Sequence, residues 1–162
     1  MSDIAEQLRT GLRRLGKAVV VVTCWYEGRR WAMTATAVSE LSMDPPSLLV
    51  CVNKSASLHG PLTAGANFCV NILHADHRHV SQACSGKAKG EARFSEGAWE
   101  AAPDGTPYLG DAQASFFCTY ATHVEYGTHA VVIGAVTGVS ASGEVDPLIY
   151  LDGGYARAAP FG

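Results

Sequence analysis

Apolar residues fall in short runs along this chain, and most runs are separated by turn residues. The runs are rich in β-branched and aromatic residues and too short for typical buried helices, so they predict strands. We expect strands at 17–26, 31–33, 47–53, 67–73, 114–126, 129–139 and 147–150. Because consecutive strands are joined through turns, the pattern favours an antiparallel β-barrel over a parallel doubly wound sheet. The predicted fold class is therefore mainly β, with a few flanking helices.

Helical periodicity is confined to short segments. Apolar residues with a spacing of three or four predict an amphipathic helix within residues 1–16: Ile4, Leu8, Leu12 and Leu15. Ser2 or Asp3 is available as its N-cap, and Gly16 is the expected stop. Residues 55–64 predict a short capped helix interrupted by glycine and proline, and residues 75–85 a second one.

The composition narrows the class of protein. The chain has 162 residues, 48% of them apolar and 17% charged, with a net charge of −3. This describes a single compact domain over residues 1–162 with no nucleic-acid partner. No apolar run approaches the roughly 20 residues that cross a bilayer, and no signal-peptide core is present, so we expect a cytoplasmic protein without a membrane partner. The large apolar fraction favours burial between subunits, most simply in a homodimer.

The five cysteines are an odd number and form no CxxC pair. Most of them lie inside apolar runs, so we expect buried free thiols.

The stretch 30–53 is the strongest candidate for a binding surface. It joins two apolar runs through small and hydroxyl residues at 34–39, followed by an Asp-Pro-Pro breaker. Small side chains leave backbone N–H and C=O groups accessible, so we expect a flat ligand to lie along this segment.

Two segments offer donors for an anion. There is no GxGxxG or GxxxxGK[ST] motif, so neither a Rossmann site nor a P-loop is supported. Hydroxyls at 53–57 precede a predicted helix, where N–H groups favour phosphate, and the loop at 85–94 carries Lys87, Lys89 and Arg93. The alternatives are that Ser55 only caps the helix and that the lysines belong to a solvated loop.

Other kinds of chemistry have less support. His74, His77 and His79 cluster near an aspartate, but only part of the set has metal-ligand spacing on a helix, so a solvated helix start is the simpler interpretation. No GxSxG elbow or exposed nucleophilic cysteine is present. His129 differs from the other histidines because it opens a strongly apolar strand; it is either structural or a ligand contact in a cleft.

Several of these segments occur together in a familiar order: MTATAV, DPP before a strand that ends in CVN, FCVNIL, RFS with a tryptophan soon after, GTH before an apolar strand, and PLIY. In this order the chain resembles the short-chain flavin reductase family over about residues 15–155. The resemblance is closest to reductase components of two-component flavin-dependent monooxygenases such as the 4-hydroxyphenylacetate system. It implies an FMN-binding-type split β-barrel and a homodimer with flavin near the subunit boundary. It also implies hydride transfer from NADH or NADPH to FAD or FMN, and a separate oxygenase component that receives the reduced flavin.

The resemblance also implies roles for particular residues. Those expected to border the isoalloxazine are Thr34, Ala35, Thr36, Ala37 and Ser39. Those expected at the ribityl-phosphate end are Val52, Asn53, Lys54, Ser55 and Ser57. Arg93 and Phe94 match an RF signature beside the flavin, Lys87 and Lys89 are further phosphate contacts, His129 is associated with nicotinamide binding, and Tyr155 is an additional contact. No metal is expected.

The chain departs from the family at two places. Glu40 stands where small or hydroxyl residues are frequent, and the ending LDGGYARAAPFG lacks bulkier residues of some relatives. No arginine clamp for a 2′-phosphate stands out, so we expect NADH rather than NADPH. The competing hypotheses are a non-catalytic flavin- or haem-binding split barrel and a metal-dependent enzyme that uses the clustered histidines.

Overall fold

A computed structural model describes residues 3–162 of the chain. Within that range the helices are α1 (Asp3–Leu12), α2 (His59–Thr63) and α3 (Arg78–Ala83), with 3-10 turns at Ala75–His77 and Gly90–Phe94. The strands are β1 (Lys17–Ala18), β2 (Val20–Tyr26), β3 (Arg29–Ala35), β4 (Val38–Met43), β5 (Pro46–Asn53), β6 (Phe68–Ile72), β7 (Trp99–Ala101), β8 (Pro107–Leu109), β9 (Ala114–Tyr126), β10 (His129–Ala141), β11 (Leu148–Leu151) and β12 (Gly154–Arg157). Ser2, a candidate N-cap of the first helix, lies outside the described residues.

The main sheet has the strand order β3-β2-β6-β9-β10-β5-β4, and its neighbouring strands are antiparallel. β3 and β4 are therefore its two edges, although only Thr36 and Ala37 separate them in sequence. In a flat sheet, six strand spacings would hold these edges roughly 29 Å apart. The three steps from Ala35 to Val38 reach at most about 11 Å. The sheet must therefore curl into a barrel that is split at this link, which confirms the predicted fold class.

The interior of the barrel is filled by fully buried valines from β2, β5, β6 and β10 around the ring of Phe68. Leu58 and Leu62, at and within α2, are completely buried in the same cluster. Gly134 of β10 lies over the ring, where an added Cβ would come within 2.5 Å of the Phe68 Cζ atom. A side chain at position 134 would therefore force the ring or the strand to move.

A second apolar cluster covers the outer face of β2. Val19 and Val21 pack there with Leu73, Val80 and Leu109, which brings the segments around α3 and β8 against the sheet. β1, β11 and β12 form a separate three-stranded sheet, and β7 pairs with β8. These layers leave the segment between β3 and β4 at the junction of the barrel with the small sheet.

The structure differs from the sequence-based elements at five places. The predicted strand at 31–33 extends to Ala35. β4, an edge strand, and β12, in a glycine-rich hairpin, were missed because their polar residues hide the alternation of apolar and polar positions. The predicted helix at 55–64 shortens to His59–Thr63. α1 ends at Leu12, and tighter backbone hydrogen bonds then lead the chain to Leu15.

No helix within residues 3–162 is both long and apolar enough to cross a membrane.

Candidate functional site

Residues 34–39 lie where the two edges of the barrel meet. The Cys51 N–H donates to the Ala37 carbonyl at 2.9 Å, which joins the link to β5. Thr34 is held from the other side: its N–H donates to the Cys84 carbonyl at 3.1 Å and its hydroxyl to the Ser81 carbonyl at 2.7 Å. The expectation of open backbone groups is therefore wrong for the Thr34 N–H, because α3 and its C-terminal residue take up both donors.

Cavities of about 610, 340 and 280 Å³ adjoin one another at Thr36. The largest runs along Ala37, Ser39 and the exposed Glu40 toward the apolar mouth of the barrel. The smallest is a slot between residues 34–36 and Tyr155. Glu40 thus does border the cleft.

Residues 53–57 form a turn rather than the start of a helix. The Asn53 Oδ1 accepts hydrogen bonds from the Ser55 N–H at 2.9 Å and the Ser55 hydroxyl at 2.8 Å. α2 begins only at His59 and its N-cap is Leu58, so the alternative that Ser55 caps a helix is wrong and residues 53–57 are not at a helix N-terminus. The contact of residues 53–57 with a phosphate stays a prediction. The side chains of Lys54, Ser55 and Ser57 are exposed, and the Lys54 Nζ atom lies 3.6 Å from the Glu125 carboxylate. The Val52 side chain is completely buried in the barrel.

The basic loop at 85–94 is closed by its own arginine. The Arg93 guanidinium donates to the carbonyls of Ala88 at 2.8 Å, Ala32 at 2.9 Å and Gly86 at 3.3 Å. Arg93 therefore ties the loop to β3, while Lys87 and Lys89 point to solvent. The structure supports a positioning role for Arg93 behind Thr34, and its contact with flavin stays a prediction.

Phe94 is buried in the second apolar cluster rather than exposed beside the cleft. Its ring meets Trp99 edge to face at 5.0 Å, and the Arg30 guanidinium lies 4.3 Å above it. A direct flavin contact of this side chain likewise stays a prediction.

Tyr155 closes the slot beside residues 34–36. Its hydroxyl lies 2.8 Å from the Ser81 hydroxyl, and its ring is 5.7 Å from that of Tyr150. Ser81 is almost completely buried, and Ser85 donates to its carbonyl at 2.7 Å. Sequence reasoning missed Ser81; the available signal was a polar residue on the inner face of a predicted helix.

His129 is brought to residues 53–57 by strand register. It lies opposite Asn53 on one side and Tyr126 on the other, so these three side chains share one face of the sheet. Its Nδ1 is 2.7 Å from the Thr128 hydroxyl. Ala37 hydrogen bonds to Cys51, two residues from Asn53 along β5, so His129 and the link between β3 and β4 border the same region from different strands.

Two of the three clustered histidines, His74 and His77, make hydrogen bonds within the fold. The His74 Nδ1 accepts from the Asp76 N–H and the His77 Nδ1 from the His74 N–H, both at 3.0 Å. The His77 Nε2 lies 3.3 Å from the Asp111 carboxylate. No group of three His, Cys, Asp or Glu residues suited to a metal ion is found in the described part of the chain.

All five cysteines are free thiols, and four of them are buried. Burial raises the pKa of Cys24 and of Cys118 to about 12, and it raises the pKa of Cys84 to about 11 against the opposing effect of the Arg93 charge. Burial also raises the pKa of Cys69. These four thiols stay protonated at neutral pH, so none of them supplies a thiolate nucleophile.

Comparisons with known proteins agree on one family. A family model described as "Flavin reductase like domain" matches residues 12–159. The reductase component of an FADH(2)-dependent resorcinol hydroxylase from Rhizobium sp. is 40% identical, with 98% of this chain and 90% of that protein aligned. An FMN reductase (NADH), RutF, from Bradyrhizobium diazoefficiens is 37% identical over 96% of this chain and 87% of its own length.

Solved structures support the same conclusion. Nitrilotriacetate monooxygenase component B from Mycobacterium thermoresistibile superposes with a TM-score of 0.90 at 28% identity, covering 98% of this chain and 90% of that one. An NADH:FAD oxidoreductase from Streptomyces globisporus, solved with NAD and FAD fragments, gives a TM-score of 0.89 at 27% identity, covering 96% and 93%.

Proposed function

The chain belongs to the flavin reductase like domain family, and from that premise we propose that it transfers hydride from NADH to FAD or FMN. The reduced flavin is supplied to a separate oxygenase. The observation that carries the proposal is the cleft around Thr36, which is wide and flanked by hydroxyls and small residues. The two nucleotides supply the redox chemistry, so the protein has only to hold the nicotinamide C4 against the flavin N5.

The side chains present fit a flavin nucleotide. Residues 34–39 provide small side chains and hydroxyls along a flat edge, which suits the isoalloxazine. At the other end, the exposed Lys54 ammonium and Ser57 hydroxyl are donors that suit a phosphate, and the Lys54 Nζ atom lies 3.6 Å from the Glu125 carboxylate, which a phosphate would replace as its partner. The Lys54 N–H donates to the Thr128 carbonyl at 2.9 Å, so this turn is fixed to the β9–β10 hairpin.

The proposed activity predicts flavin-dependent oxidation of NADH. The purified protein should oxidise NADH, followed at 340 nm, only when FAD or FMN is added, because the flavin is a substrate that leaves with the electrons. NADPH should be used less well. Absence of oxidation with either flavin and either nucleotide would contradict the assignment.

We also propose that His129 contacts the nicotinamide. What supports this is its half-buried place at the mouth of an apolar strand and its hydrogen bond to the Thr128 hydroxyl, which is made through the Nδ1 atom and not through Nε2.

A homodimer is part of the same proposal. β5 and β10 are apolar on both faces: their inner valines fill the barrel, and their outer face carries Leu49, Cys51, Val131 and Ile133 in paired register. Val124, next to Val131 on β9, is 58% exposed. An apolar outer sheet face of this kind is characteristic of a subunit boundary.

The dimer predicts a solution mass twice the 17.1 kDa of the chain, measured by light scattering. Val131→Lys should shift the protein toward the monomer, because a charge would be buried in the contact. Val145→Lys, at a residue that is 91% exposed, is the matched control and should leave the mass unchanged. A monomeric wild type would contradict the proposal.

A further inference from the structure

Glu125, near the end of β9, has two basic partners. Its Oε2 atom lies 3.6 Å from the Lys54 Nζ atom, and its Oε1 atom lies 3.5 Å from the His59 Nε2 atom. Its register partner on β10 is Ala130, two residues from Val132 of the barrel core, so Glu125 lies on the barrel side of the sheet. The carboxylate therefore stands between the turn that carries Lys54 and the first residue of α2.

The His59 imidazole has a buried nitrogen that is not in use. The side chain is 19% exposed, and its Nε2 atom is shielded from solvent without a hydrogen-bond partner among residues 3–162. The backbone of His59 is fixed, because its N–H donates to the Ala56 carbonyl at 3.1 Å and its carbonyl accepts from the Thr63 hydroxyl at 2.7 Å. A buried polar atom without a partner is costly. Glu125 thus has a second partner available within a small side-chain rotation.

Lys54 is shared between this carboxylate and the phosphate end of the site. The side chains of Lys54 and Glu125 are 42% and 49% exposed, so their ion pair is weak and can open. The Lys54 backbone does not move with it, since its N–H donates to the Thr128 carbonyl at 2.9 Å. A phosphate that takes the ammonium group also brings its own negative charge next to the Glu125 carboxylate.

We propose that Glu125 is a specificity-determining residue of the flavin site, which weakens the binding of a flavin phosphate by competing for Lys54. The inference rests on the proposed function, in which the flavin phosphate lies at residues 53–57. In the free protein Glu125 pairs with Lys54. When the phosphate takes the ammonium group, the carboxylate accepts a hydrogen bond from the His59 Nε2–H instead, and it returns to Lys54 when the flavin leaves. This exchange suits a flavin that is a substrate and must dissociate after reduction.

The charge of the phosphate distinguishes the flavins at this residue. A phosphomonoester such as that of FMN carries about 1.5 to 2 negative charges at neutral pH. Each phosphate of the FAD pyrophosphate carries a single charge, and riboflavin has no phosphate. Repulsion by Glu125 therefore weakens the binding of FMN most, that of FAD less and that of riboflavin not at all.

The test compares the dissociation constants of FMN, FAD and riboflavin, measured by fluorescence titration. Glu125→Gln keeps the size of the side chain and removes its charge. It should lower the Kd for FMN about threefold, since an exposed ion pair is worth roughly that factor. The Kd for FAD should fall by a smaller factor, and the Kd for riboflavin should stay unchanged. The KM values of the three flavins in NADH oxidation should change in the same order.

His59→Phe tests the second partner of the carboxylate. Phenylalanine keeps a ring at this position and removes the Nε2 atom, so Glu125 stays with Lys54 and the Kd for FMN should rise about twofold. In the Glu125→Gln background the same change should have no effect on the Kd for FMN, because the imidazole acts only through the carboxylate. An equal rise in both backgrounds would show that His59 has no part in the exchange.

Glu144→Gln is the matched control. It removes the same charge from an exposed residue beyond the opposite end of β10, and it should leave all three dissociation constants unchanged. A Kd for FMN that Glu125→Gln raises or does not change, or an equal shift for riboflavin and FMN, would overturn the proposal. If the wild type bound the flavins but did not oxidise NADH, the proposed function would fail, while the titrations would still decide the role of Glu125.

Discussion

Asn71→Ala is expected to lower the free energy of unfolding by roughly 3–4 kcal/mol. Asn71 is completely buried, and its amide nitrogen donates to the Val21 carbonyl at 2.9 Å and to the Thr23 hydroxyl at 3.2 Å. Its Oδ1 accepts from the Leu109 N–H at 2.9 Å and the Ser115 hydroxyl at 3.1 Å. One amide therefore links β2, β6, β8 and β9.

Removal of this amide leaves buried donors and acceptors without partners, and each such group costs about 1–3 kcal/mol. Urea denaturation at one fixed protein concentration measures the loss as a lower transition midpoint. Asn67→Ala is the control, because Asn67 is exposed and donates to Asp104 at the surface, so its loss should stay within about 1 kcal/mol. Asn71→Leu separates volume from hydrogen bonding: a leucine variant as stable as the wild type would contradict this account.

The barrel strands were predictable from local pattern. β9 and β10 are long runs in which apolar residues either alternate with polar residues or follow one another without a break. The glycine at position 127 predicts the tight turn between them. Their lengths and boundaries were nearly correct because strand propensity and burial agree there.

Closure of the barrel was not predictable in the same way. It depends on β4, an edge strand whose serines and glutamate hide its alternation, and on the pairing of Ala37 with Cys51. The pairing of β4 with β5 and the hydrogen bond between Ala37 and Cys51 both join residues that are not neighbours in sequence.

The candidate site was predictable only in part. Strand register brings His129 beside Asn53, and Tyr155 lines the slot at residues 34–36. The contacts of both residues with a bound nucleotide or flavin stay predictions. The support behind Thr34 was missed, since Ser81 reaches it through a helix packed across the sheet. The ion pair of Arg13 with Asp152 was missed as well, because these residues are 139 positions apart and meet only in the folded chain.

His129→Ala is expected to raise the KM for NADH and lower kcat, with roughly a 10- to 100-fold loss in kcat/KM. A lost hydrogen bond to the carboxamide weakens nucleotide binding by about 0.5–1.5 kcal/mol. Misplacement of the nicotinamide relative to the flavin can cost a further factor of up to about 10². Flavin affinity, measured by fluorescence titration, should stay nearly unchanged, because the donors at residues 53–57 are retained.

Two variants make this prediction specific. His123 is a nearby histidine whose register partner, Val132, is buried in the barrel, so His123 lies on the opposite face of the sheet from His129. His123→Ala should therefore leave the KM for NADH and the KM for the flavin unchanged. Thr128→Val keeps the imidazole but removes the hydroxyl 2.7 Å from its Nδ1, and should produce a smaller rise in the KM for NADH.

An unchanged KM for NADH together with weaker flavin binding in His129→Ala would instead place the imidazole at the phosphate end, beside Asn53, because that is its neighbour across the strands. Loss of kcat with both affinities intact would contradict a binding role and show that His129 acts on the geometry of hydride transfer alone.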